Sequence, residues 1–108
     1  MRSVTTLVAV VGERATHAAT QAAQAAGNVS MEPVGDVPPQ PTEAIERMRE
    51  VWRRAQRHGS IYTLVDADPL GPVVRQWAAR LEGQAHDLEV AIGLSADLPM
   101  PDFYLVAT

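Results

Sequence analysis

Apolar and polar positions fall in blocks along this chain, and the period within each block predicts an element. Residues 4–11, VTTLVAVV, are a near-continuous β-branched and apolar run ending at Gly12, the pattern of a strand covered on both faces in a parallel sheet. ERATHAATQAAQAAG follows, with seven alanines, an acid at its start and Gly27 at its end. It predicts a helix whose small side chains let its backbone lie close to a sheet. Val29–Val34 predict a short second strand, which Pro33 confines to an edge. GDVPPQP (35–41) is a stiff connector.

Residues 42–58, TEAIERMREVWRRAQRH, carry the clearest helical period. Ile45, Met48, Trp52 and Ala55 make one apolar stripe, and Glu43–Arg47 and Glu50–Arg54 are spaced as i,i+4 pairs on the opposite side. Thr42 is placed to cap, Glu43 and Glu46 suit the positive end, and Arg53, Arg54, Arg57 and His58 suit the negative end before Gly59. SIYTLV (60–65) predicts the third strand. Gly71-Pro72 opens a helix through Glu82, with Val74, Trp77, Ala78 and Leu81 as its expected buried stripe and Gly83 as its stop. DLEVAIGL (87–94) reads as a fourth strand and DFYLVA (102–107) as a fifth. The seven residues between Leu94 and Asp102 are too few for a parallel crossover, so the last strand is expected to run antiparallel to the fourth. The expected fold is α/β, a three-layer sandwich with a mostly parallel five-stranded sheet in the order βαβαβαββ, one domain over residues 1–108.

Composition narrows the chemistry. The chain has no cysteine, which removes thiol nucleophiles, thiolate metal sites and disulfides. It has no lysine either, since all nine basic residues are Arg, and this removes Schiff-base chemistry and a phosphate-loop lysine. An Ala-, Arg- and Pro-rich composition reads as that of a GC-rich, bacterial genome. The net charge of −4 gives no field that would draw nucleic acid or an anionic membrane. Leu7–Val11 is too short to cross a bilayer, and Glu13 and Arg14 cut short any signal-peptide pattern, so a cytoplasmic protein without membrane association is expected.

One stretch carries candidate chemistry. In LVDADPLG (64–71), Asp66 and Asp68 would stand at the carboxyl end of the third strand, where open α/β sheets bind ligands, and Glu13 would follow the first. Glu13, Asp66 and Asp68 together could hold Mg²⁺ through a few oxygens and waters. The same two aspartates also suit a plain capped turn, because Asp accepts from nearby backbone amides and Asp-Pro starts turns. Both readings stand at this point.

VDADPLG resembles the Asp-x-Asp-x-x-Gly element of Toprim domains. That resemblance implies a Mg²⁺ site for nucleic-acid strand chemistry completed by an acid after the first strand, here Glu13 in VVGE. Toprim domains place Glu before Gly, whereas Gly12 precedes Glu13 here. The layout also resembles a response-regulator receiver with Asp66 as phosphoacceptor, but a receiver carries a lysine after its last strand and this chain has none.

Other candidates are sparser. Gly12 could open a helix N-terminus to phosphate, though Glu13 stands at the same place. His17, His58 and His86 show no metal-ligand spacing, and Ser3, Ser30, Ser60 and Ser95 lie in no nucleophile elbow. The arginines of residues 47–57 are interleaved with glutamates, the pattern of a salt-bridged solvent face. Trp52 and Trp77 fall on apolar stripes and read as core, or as an anchor at a dimer interface. By elimination the sequence points to a non-catalytic domain that binds a protein partner or itself, with no cofactor and no nucleic acid. The alternatives are a Mg²⁺-dependent phosphoryl or phosphodiester enzyme acting through Glu13, Asp66 and Asp68, a degenerate receiver or Toprim-like domain with that acidic site, and a small-ligand pocket at the same strand ends.

Overall fold

The computed structural model describes residues 5–108; Ser3 and Val4, the latter the expected start of the first strand, lie outside them. In chain order the elements are β1 (Thr6–Val11), α1 (Ala15–Ala25), β2 (Val29–Glu32), α2 (Pro41–Gln56), β3 (Tyr62–Val65), α3 (Gly71–Leu81), α4 (Leu88–Leu94) and β4 (Phe103–Val106). The four strands form one parallel sheet in the order β2-β3-β1-β4. β1 is central, with Val8 beside Leu64 of β3 on one side and Phe103 of β4 on the other. That position explains its apolar run, since Leu7–Val10 are all buried.

Alternation along β1 supplies two cores. Val8 and Val10, with Leu64, pack under Ala15 and Ala19 of α1. Leu7, Ala9 and Val65 face the other way, toward Ile45, Met48, Val51, Trp52 and Ala55 of α2, and Ala91 of α4. Helices therefore cover both faces of the sheet. α1 carries the chain from β1 past β3 to β2 on one face, while the return connections from β2 and β3 run in the opposite direction over the other, so all crossovers share one hand. Between the layers, Thr5 and Thr63 pair their buried hydroxyls at 2.8 Å. The Trp52 indole N–H is buried and finds no acceptor among the described residues.

The α/β class and the parallel sheet agree with the expectation, but the strand count does not. Residues 87–94 are a helix, α4, and not a fourth strand. Leu88, Val90, Ile92 and Leu94 suggest a period of two, yet the buried residues are Leu88 and Ala91, one helical turn apart, while Val90 and Ile92 face outward. Among the described residues the sheet thus has four strands. The last strand is parallel to β1 and not antiparallel to a neighbour, because with α4 helical the crossover from β3 spans residues 66–102 and has ample length.

Two helices also differ in detail. α2 begins at Pro41, whose missing N–H suits the first turn, and Thr42 is exposed inside that turn and not the cap. Its predicted stripe is buried throughout. In α3 the expected stripe is inverted: Pro72 is buried and Val73 packs on the core, while Val74, Trp77, Ala78 and Leu81 are exposed. α3 packs chiefly on α4 and α2 and does not lie on the sheet, so the neighbouring helices decide which side is covered.

Candidate functional site

β1 and β3 are neighbours whose outgoing chains leave toward opposite faces, and this opens a crevice at their carboxyl ends. Asp66 stands in it, half-buried, with both carboxylate oxygens engaged. Thr16 Oγ1 of α1 donates to Oδ2 at 2.6 Å, and the Val34 N–H, in the loop after β2, donates to Oδ1 at 2.9 Å. Asp66 thereby ties β3 to the elements on either side of it. Asp68 Oδ1 accepts from the Leu70 N–H at 3.0 Å, closing the turn into α3, and from the Tyr104 hydroxyl of β4 at 3.0 Å. Burial, then the hydrogen bond to Asp68 and the charge of that carboxylate, push the Tyr104 hydroxyl up to about 12.

Glu13 lies exposed on the turn between β1 and α1. The structure places Glu13, Asp66 and Asp68 on the same strand-end side of the sheet, but among the described residues no three His, Asp or Glu side chains are grouped to hold a metal ion. The turn at Gly12 is closed by β4: the Ala107 N–H donates to the Val11 carbonyl at 2.7 Å and the Arg14 N–H donates to the Ala107 carbonyl at 3.0 Å. The second amide belongs to the helix end that could have faced a phosphate, and here it is used by the chain itself.

The histidines are dispersed. His17 is exposed, His86 Nδ1 accepts from the Leu88 N–H at 3.3 Å, and His58 Nε2 pairs with Glu32 Oε1 at 2.7 Å. Ser30 and Ser60 pair with each other. Along α2, Glu50–Arg54 forms the expected pair at 2.6 Å, whereas Arg47 bypasses Glu43 to donate to the Val34 and Asp36 carbonyls at 3.1 and 3.0 Å. Arg49 bridges to Glu46 and Asp97 and donates to the Leu94 carbonyl, and its hydrogen bond holds the Asp97 carboxyl below the usual carboxylate range. The arginine face is thus largely spent on internal ties.

The feature that residue patterns did not announce is the exposure of β4. β4 is an edge strand, yet Phe103, Tyr104, Leu105 and Val106 are 61%, 46%, 54% and 71% exposed. By register, Phe103 and Leu105 share the face of Val8 and Val10, and Tyr104 and Val106 share the other. Beside α1, Val8, Ala22, Leu64, Phe103 and Leu105 line an open apolar groove of about 330 Å³. FYLV reads as strand in the sequence, and nothing in four apolar residues distinguishes an edge from a covered position.

No family model matches this chain, and neither a curated protein nor a solved structure matches it. Among the described residues, no helix is long and apolar enough to cross a membrane.

Proposed function

We propose that this chain is a non-catalytic binding domain, acting in the cytoplasm on a protein partner or on itself in a regulatory or assembly role. The observation that carries the reading is β4, an uncharged apolar strand at a sheet edge with side chains exposed on both faces. Monomeric proteins blunt such edges with charge, proline or a covering element, because free backbone groups beside apolar side chains recruit another chain. The Mg²⁺-dependent alternative has less support, since among the described residues no three His, Asp or Glu side chains are grouped to hold a metal ion.

The test is a photo-crosslinking residue in place of Val106, expressed in the native host. A discrete adduct, with a second copy or with another polypeptide, is expected. Mg²⁺ should leave the thermal midpoint unchanged, and Asp66→Asn should weaken folding by about 1–2 kcal/mol through its lost charge-assisted hydrogen bonds. Mg²⁺-dependent turnover of phosphate esters, abolished in Asp66→Asn, would overturn the reading.

A further inference from the structure

We propose that the occupant of the bare edge is a second copy of this chain, its β4 lying antiparallel against the first so that the two sheets join into one of eight strands. This rests on the binding reading above and names its partner. Edge-to-edge pairing is the contact that reaches both faces of β4 at once, whereas packing onto one face would cover either Phe103 and Leu105 or Tyr104 and Val106. Phe103–Val106 carry no charge, so an acidic or basic peptide would meet nothing complementary there, while a like apolar strand would.

The orientation follows from charge and proline. Antiparallel pairing sends the two Asp102 carboxylates to opposite ends of the ladder, while a parallel arrangement would set them together. Pro99 and Pro101 lack N–H donors and so confine the ladder to the short apolar strand. The area fits a weak, reversible interface. Taking the four β4 side chains, 46–71% exposed, at roughly 150–200 Å² each, the strand offers about 400 Å² per copy, so about 800 Å² in the pair, at the low end of interface sizes. The two-fold also brings the apolar groove of each copy alongside the other.

The test is sedimentation velocity on the full chain. At about 100 µM, well above the micromolar affinities that weak interfaces reach, the wild type should sediment at twice 11.7 kDa. Leu105→Arg/Val106→Arg should sediment as the monomer with an unchanged far-ultraviolet circular dichroism spectrum. If that pair of changes impairs folding, Val106→Arg alone, at the most exposed of the four positions, should still shift the equilibrium toward monomer. A monomer at this concentration, or a dimer that survives these changes, overturns the proposal. So does a dimer lost instead in Trp77→Arg, on the exposed face of α3. A monomeric wild type whose residue 106 still crosslinks to a different polypeptide would overturn the dimer and leave the binding reading intact.

Discussion

Gly12 shows how one residue position can be dictated from far along the chain. Its φ of +107° lies where side chains are disfavoured, and a Cβ there would drive into the Ala107 carbonyl, a backbone atom that cannot swing aside. The close approach exists because the Arg14 N–H takes that same carbonyl, so the end of β4 is stitched over the first turn of the sheet. Gly12→Ala should therefore cost about 2 kcal/mol or more in a urea titration. A loss under about 0.5 kcal/mol, the range of ordinary surface changes, would mean that the turn relaxes freely. The sequence announced the glycine as a strand stop, but not its neighbour 95 residues on. The acidic pair has the same character. Asp66 and Asp68 were legible as a strand-end turn, while their partners Thr16, Val34 and Tyr104 come from three other segments and leave no local signal.

Among the elements, α2 and α3 form a matched contrast. Each carries a tryptophan on an apolar stripe, yet Trp52 is fully buried while Trp77 is 57% exposed. Trp52→Ala should cost about 3–5 kcal/mol by opening a cavity. Trp77→Ala should stay within about 0.5 kcal/mol, as an exposed position does. Comparable losses for the two would contradict the orientation of α3. Periodicity located α2 and its buried side correctly because that helix lies directly on the sheet, where one wide stripe is covered. It located α3 but inverted its sides, because Pro72 and Val73, small and early in the helix, make the inward contact. In α4 seven residues are too few to separate a period of two from a period near four, and the alternation of Leu88, Val90, Ile92 and Leu94 mimicked a strand. Losing that strand also reversed the reading of β4, since the antiparallel expectation depended on the short connection.

Across the molecule, Tyr104 and Asp68 join the edge strand to the turn that starts α3, and this pair gives stability an alkaline dependence. The Tyr104 hydroxyl is held up to about 12 by burial and by Asp68, above the ordinary tyrosine value of about 10 in the unfolded chain. A group whose folded value is raised contributes fully below about pH 10, and its contribution fades as the pH climbs toward 12. Tyr104→Phe should be less stable than the wild type at about pH 9, and the gap in urea midpoint should close by about pH 12. Parallel loss in both proteins across that window would remove the pair from the account. The strand order has a consequence for the nascent chain. β1 and β2 do not pair with each other, and both await β3, so no rung of the sheet can form until residue 62 has left the ribosome, nor all of β3's until residue 65 has. Until then the sticky VTTLVAVV segment has only the alanine-rich α1 to shelter it, and a chaperone has its longest opportunity there.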